Sequence, residues 1–165
     1  MAISANGIIA TTTGSEDFLS HDNWIQFVKL ANKVGCFIWG RKTYDAVINW
    51  EGDYLNDLKD VKKIIVSHSP IELKKGFTLA DSPEQALSLL QEGGFKEAII
   101  TGGSTLNSEF AKRGLIDEVI LDVNSVILGA GIPVFAPGDF ELKLELVEST
   151  KVSDSVFELK YKVVK

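Results

Sequence analysis

Short apolar runs alternate with longer stretches of helical periodicity along most of the chain. Ile8 to Ala10, Cys36 to Trp39, Ile64 to Ser67, Ala98 to Thr101 and Val119 to Val123 have the length and continuity of buried strands. Between the first two, Trp24, Phe27, Val28, Ala31 and Val34 recur at helical spacing, which predicts an amphipathic helix near His21 to Val34 with its apolar stripe against a sheet face. The alternation implies a largely parallel sheet covered by helices.

Ser82, Pro83 and Gln85 supply an N-cap, a proline at the first helical position and a capping-box partner ahead of Ala86, Leu87, Leu89 and Leu90. Gly93 and Gly94 end that helix with residues that tolerate the left-handed conformation. After Pro137 the pattern changes to two strand-like segments, Phe140 to Thr150 and Val156 to Val164, joined by a turn at Val152 to Ser155. Parallel crossovers followed by an antiparallel hairpin describe a three-layer α/β/α domain. At 165 residues, the whole of 1–165 is expected to form one domain.

Charge then narrows the partners. The 17 Lys and Arg against 23 Asp and Glu leave a formal charge of −6, which opposes sequence-independent attraction to nucleic acid. No stretch of about 18 apolar residues and no leader pattern is present, so a cytoplasmic protein without a membrane partner is expected. Cys36 is the single cysteine and reads as a buried thiol, and His21 and His68 are too few and too separated to suggest a metal site.

Three segments carry candidate chemistry. The strand ending at Trp39 runs into Gly40, Arg41, Lys42, Thr43 and Tyr44, where two cations and a hydroxyl meet the start of a helix. Exposed N–H groups and the helix dipole attract an anion at such a place, and Arg41 can form forked hydrogen bonds to phosphate. After Thr101, the pair Gly102 and Gly103 allows close approach of a pyrophosphate, with Ser104 or Thr105 as the cap of a helix over Leu106 to Arg113. Ser67, His68 and Ser69 end a strand and could contact a ribose or its phosphate. Each segment alone also fits an ordinary turn. Neither Gly-x-Gly-x-x-Gly after the first strand nor a Walker lysine motif is present, which disfavours an ordinary Rossmann dehydrogenase and a P-loop phosphotransferase.

Taken together, Ser4 to Ala10, Gly40 to Tyr44, Ser67 to Ser69 and Gly102 to Leu106 resemble, in order and spacing, the dihydrofolate reductase superfamily. Leu115 to Glu118 and Val126 to Phe135 are most similar to the reductase domain of riboflavin synthesis and its free-standing relatives. The resemblance implies NADPH as cofactor. Gly40, Arg41, Lys42 and Thr43 would hold its phosphates, Arg41 and Ser67 would favour its 2′-phosphate, and His68 and Ser69 would lie on the adenosine side. Gly102, Gly103, Ser104, Thr105 and Leu106 would hold the pyrophosphate, and Ile9 and Ala10 would lie near the nicotinamide.

On the substrate side, the resemblance places a carboxylate at the start of the first long helix, where Asp22 stands as the catalytic candidate with Glu16 and Asp17 as alternatives. Trp24 and Phe27 are substrate-binding candidates whose helical spacing equally fits a core. The implied reaction is hydride transfer to a small nitrogen heterocycle, with 7,8-dihydrofolate the leading substrate. A ribosylaminopyrimidine phosphate of riboflavin synthesis is the alternative, and a non-catalytic nucleotide-binding or assembly module is the reading from another class. Pairing of apolar C-terminal strands between two copies would give a homodimer.

Overall fold

The computed structural model describes residues 1–50 and 52–165. Two compact units are formed, one by Met1–Gln26 with Asn107–Lys165 and the other by Phe27–Leu106.

The Phe27–Leu106 unit holds an all-parallel sheet. Strands β3 (Cys36–Gly40), β4 (Lys62–Val66), β5 (Phe77–Ala80) and β6 (Ile99–Ile100) lie in the order β5-β4-β3-β6. β3 has neighbours on both edges, pairing Trp39 with Ile65 and Gly40 with Val66 on one side and Ile38 with Ile100 on the other. A strand so enclosed must be apolar throughout, and all five of its residues are buried. The rings of Phe37 and Trp39 lie 4.4 Å apart, and Phe27 packs 5.5 Å from Phe37. The expected apolar run over Ala98 to Thr101 contracts to Ile99–Ile100, because only β3 pairs with it. Strand β5 escaped the sequence reading: it is an edge strand of only four residues, FTLA, with a threonine breaking its apolar run.

Helix α1 (His21–Val34) has the bounds its periodicity predicts, and α3 (Pro83–Glu92) begins where its cap requires. The Ser82 hydroxyl accepts from the Gln85 N–H at 3.2 Å, while the Gln85 carboxamide oxygen accepts from the Asp81 N–H at 2.6 Å. The reciprocal bond thus reaches one residue further back than in a capping box. Helix α2 (Arg41–Val47) follows β3 without a break. Helix α4 (Ser104–Lys112) starts two residues before the expected Leu106, so Ser104 and Thr105 lie within its first turn.

In the unit of Met1–Gln26 and Asn107–Lys165, β1 (Ala2–Ser4), β7 (Glu118–Asn124), β9 (Lys143–Lys151) and β10 (Val156–Val164) form a sheet in the order β1-β7-β10-β9. β1 runs parallel to β7, and β10 is antiparallel to both β7 and β9. The C-terminal hairpin is as expected, closed by a Val152 N–H to Val156 carbonyl bond of 2.9 Å, although β9 begins at Lys143 because Phe140 turns to pack on Phe135 at 5.9 Å. All nine residues of the edge strand β9 are exposed.

One strand is corrected. Ile8–Ala10, expected in the parallel sheet, is β2 and pairs antiparallel with β8 (Ile132–Pro133) in a ladder of its own. An apolar triplet reports burial but not the direction of its partner. Gly131 makes the pairing sterically feasible, since a Cβ there would stand 2.4 Å from Ile8 Cγ2 and 2.5 Å from the Ala10 carbonyl oxygen.

Candidate functional site

Parallel strands deliver their carboxyl ends to one edge of a sheet, and ligands of open α/β sheets bind outside that edge. In the Phe27–Leu106 unit this edge carries all three segments singled out in the sequence. Gly40 ends β3 opposite Val66, Ser67 follows β4, and Gly102 lies two residues beyond β6.

The two glycine turns meet there. The Gly40 N–H donates to the Gly102 carbonyl at 2.7 Å, and the Thr101 N–H donates to the Ile38 carbonyl at 3.2 Å. A Cβ on Gly40 would approach the Gly103 nitrogen and Leu106 Cβ to 3.5 Å, and a Cβ on Gly103 would stand 3.3 Å from Thr43 Oγ1. Gly102 has φ of 94°, in the region that favours glycine, and its peptide bond to Gly103 is cis. Sequence reasoning treated Gly40 to Thr43 and Gly102 to Leu106 as separate candidates; the fold makes them walls of one cradle.

The cradle's donors are in place. Gly40 is the N-cap of α2 and supplies no side-chain cap, so the first N–H groups of that helix remain open to an anion. Arg41 and Lys42 are exposed, and Arg41 Nε donates to Asp45 across 3.3 Å on the surface of α2. An exposed pair of this kind contributes about 0–1 kcal/mol, so phosphate can compete for the guanidinium. Ser104 corrects the expected cap: it is inside the helix, and its buried hydroxyl has no hydrogen-bond partner. Thr105 is exposed, whereas Leu106 is buried and holds the turn through its side chain.

Ser67 is buried, with its hydroxyl donating to the Ser69 carbonyl at 2.8 Å and accepting from the Ser69 N–H at 3.3 Å. Its donor is therefore engaged locally, leaving an acceptor rather than a donor for any phosphate. His68 and Ser69 are exposed. Tyr44 is buried and its hydroxyl accepts from the Lys74 N–H at 2.9 Å, which ties the chain before β5 to α2. Cys36 is fully buried and burial pushes its thiol up to about 11, consistent with a structural role.

In the other unit, Ile9 and Ala10 are buried in β2. The turn before them is held by side chains: Ser4 Oγ donates to Asn6 Oδ1 at 2.8 Å and accepts from the Ile8 N–H at 2.9 Å. Asn6 Nδ2 donates to the Leu128 carbonyl at 2.7 Å. The motif Ser4 to Gly7 is thus joined to the glycine-rich segment after β7, a partnership across more than a hundred residues that sequence reading missed.

The three candidate carboxylates differ. Asp17 is exposed and accepts from Ser15 Oγ at 2.7 Å; Glu16 is half-buried, and desolvation raises its carboxyl pKa; Asp22 is half-buried in the first turn of α1. Of the aromatic candidates, Phe27 turns toward Phe37 and Trp39, and Trp24 is half-buried. Asn23, between Asp22 and Trp24, was not singled out. It is only 5% exposed, and neither its carboxamide oxygen nor its nitrogen has a partner. Its sequence neighbours Asp22 and Trp24 do not report its burial, since a helix presents adjacent residues about 100° apart.

Among the described residues no group of three or more His, Cys, Asp or Glu side chains is arranged to hold a metal ion, and no helix is long and apolar enough to cross a membrane.

Parallel strands ending in a shared glycine cradle, with an antiparallel C-terminal hairpin in the other unit, define an α/β domain of dihydrofolate-reductase-like fold. The chain belongs to the RibD C-terminal domain family, whose model matches residues 1–157. This is a reductase family. A "Putative riboflavin biosynthesis protein" from Shewanella sp. PV-4 is 25% identical, with a TM-score of 0.83 over 100% of this chain and 97% of that one. YyaP of Bacillus subtilis is 25% identical over 98% of this chain and 91% of its own length. Dihydrofolate reductase from Enterococcus faecalis, in a complex with NADP(H), shares the fold at a TM-score of 0.71 and 17% identity, with 99% of this chain and 94% of that one covered.

Proposed function

We propose that the protein is an NADPH-dependent reductase of a pyrimidine bearing a ribosylamino phosphate, of the kind used in riboflavin synthesis. The observation that carries this reading is the meeting of Gly40 to Thr43 with Gly102 to Ser104 at the carboxyl ends of parallel strands, in a chain of the RibD C-terminal domain family. The residues fit the cofactor. A dinucleotide's pyrophosphate needs backbone that approaches without a Cβ and N–H groups that point outward, and the glycine cradle and the uncapped start of α2 supply both.

NADPH, when bound, supplies the hydride; this chain's part is to bind, orient and exclude water. Gly102, Gly103 and Ser104 take the pyrophosphate, with the unpartnered Ser104 hydroxyl as a ready donor. Arg41, Lys42 and Thr43 take phosphate oxygens, and Arg41 favours NADPH over NADH because the 2′-phosphate offers two oxygens to its fork. For the nicotinamide end the resemblance offers Ile9 and Ala10, both of them buried in β2. For the proton that completes reduction, Glu16 has the best-matched environment: burial keeps its carboxyl protonated to higher pH than an exposed glutamate. Asp22 is the second candidate for that role.

Dihydrofolate is the second reading, favoured by the fold shared with the Enterococcus enzyme. One assay separates the two. NADPH oxidation is followed by absorbance with 5-amino-6-ribosylaminouracil phosphate and with dihydrofolate, beside NADH and no-substrate controls. Turnover that requires the uracil and NADPH is expected. Turnover with dihydrofolate alone would replace the substrate, and NADPH binding without turnover on either would leave a nucleotide-binding module.

A further inference from the structure

Strands β4 and β5 run parallel, so the chain between them must return from the carboxyl edge of the sheet to its amino edge. Residues 67–76 make that return, and they contain neither helix nor strand, although a parallel crossover usually carries a helix. β4 has five residues, so the return covers roughly 17 Å. A chain of this length reaches about 33 Å when extended. The crossover has slack, and its course is set by what ties it down.

Among the described residues, 68–73 take part in no backbone–backbone hydrogen bond, and the Ser67 hydroxyl bonds only within the turn, to Ser69. The fastening to another element comes at Lys74. Its N–H donates to the Tyr44 hydroxyl at 2.9 Å, and its Nζ donates to the carbonyl of Ile48, the C-cap of α2, at 3.1 Å. The second bond is exposed and hangs on a flexible stem, so the first is the one that fixes the main chain. Tyr44 is buried, and its ring meets Phe77, the first residue of β5, edge-on at 5.1 Å, which holds the hydroxyl in place.

We infer that Tyr44 is a positioning residue for cofactor selectivity, clipping the crossover to α2 so that Ser67 to Ser69 are held in fixed relation to Arg41. The inference rests on the reductase reading above and deepens it. Arg41 opens α2 and Tyr44 lies about one turn later, so one short helix carries the guanidinium on its exposed side and the clip on its buried side. Strand pairing fastens the other end, since Ser67 follows Val66, which pairs with Gly40 immediately before Arg41. With both ends fastened beside α2, the ligand meets a surface already formed and the ordering cost of binding falls. Loosening the crossover raises that cost most for a ligand whose 2′-phosphate bridges Arg41 and the end of β4, and least for one that lacks this phosphate. Lys74 is itself exposed, so its N–H turns to water when the hydroxyl is removed, and the clip contributes little to stability.

The test uses the full chain and two probes titrated by calorimetry, 2′,5′-ADP, which carries the 2′-phosphate, and ADP, which lacks it. The wild-type protein is expected to bind 2′,5′-ADP more tightly and to protect the Lys74 amide from hydrogen exchange. Tyr44→Phe keeps the ring and removes only the acceptor. It is expected to weaken 2′,5′-ADP by about fivefold and ADP by less than about twofold, to leave Tm within about 2 °C, and to lose the protection at Lys74. Val47→Ala, a buried truncation in the same helix away from the clip, is expected to lower Tm while leaving the ratio of the two affinities unchanged. Equal weakening of both probes by Tyr44→Phe, weakening of neither, a Val47→Ala ratio that shifts as far, or an unprotected Lys74 amide in the wild type overturns the inference and leaves the NADPH reading standing. A wild type that binds the probes equally, or binds neither, overturns the NADPH reading itself and the inference with it. If Tyr44→Phe does not fold, Lys74→Pro removes the donor from the other side of the clip, and an unchanged ratio there overturns the inference.

Discussion

Gly103 and Gly131 both mark places where backbone must come close to something, yet what comes close differs. Around Gly103 an added Cβ would meet one hydroxyl, Thr43 Oγ1, at 3.3 Å, and around Gly40 it would meet atoms only at 3.5 Å or beyond. Around Gly131 it would enter the protein itself, at 2.4 Å from Ile8 Cγ2 and 2.5 Å from the Ala10 carbonyl. A glycine whose added Cβ would meet only a movable hydroxyl or ordinary van der Waals contacts is not required by packing. Space already filled makes the glycine a packing requirement. The second glycine therefore belongs to the β2–β8 ladder, whereas packing does not account for the first, which lines the cradle proposed above for the cofactor.

The largest expected effect follows from the filled site. Gly131→Ala forces β2 and the segment after Gly129 apart, an overpacking cost of about 1–3 kcal/mol. For a chain of this size that lowers Tm by about 2–10 °C, measured by thermal unfolding. An unchanged Tm would mean that β2 and β8 have room to separate. Gly103→Ala should do the opposite: Thr43 can yield a few tenths of an ångström, so Tm should move by less than 2 °C by the same measure. Affinity for NADPH should fall by about tenfold, because the pyrophosphate loses its closest approach. A drop in stability without a change in affinity would make Gly103 a packing residue like Gly131 and remove the distinction.

The same contrast explains what could be read beforehand. Gly40 to Tyr44 and Gly102 to Leu106 were legible because each is a local signal, a strand running into glycine and a helix start, and Ser67 to Ser69 because it is a polar strand end. That they converge required the strand order β5-β4-β3-β6, which no local pattern encodes. β2 was read as a strand but in the wrong sheet, since its partner Ile132–Pro133 is two residues long and far away in sequence. Asn23 was invisible for another reason. Its significance is the absence of a partner, and only a packed structure reports an absence of that kind.

Arg41→Ala sharpens the binding side of the comparison. The Arg41–Asp45 pair is about half exposed on both sides, so its loss should leave Tm within 1–2 °C. NADPH affinity should fall by about tenfold while NADH affinity changes by less than about twofold, seen by titrating each dinucleotide. Equal losses for both would move Arg41 from the 2′-phosphate to a phosphate that the two cofactors share.

The smallest effect concerns the segment that leaves β2, where Glu16 is half-buried and its carboxyl pKa is raised by desolvation alone. A folded-state pKa above the unfolded one means that the folded protein holds this proton more tightly. The stability that Glu16 permits is therefore complete below the ordinary glutamate range and is lost as pH rises through the raised value. Glu16→Gln removes the ionisation. It should leave Tm unchanged near pH 4 and raise it by roughly 1–3 °C near pH 7, by thermal unfolding at both values. If Glu16 also delivers the proton, the same variant should lose its turnover while NADPH affinity is retained. Stability and activity would then move in opposite directions at one residue, as expected where a buried acid is kept for its chemistry and not for the fold. A variant that gains stability at pH 7 and keeps its turnover would assign the burial of Glu16 to packing and return the proton-donor role to Asp22.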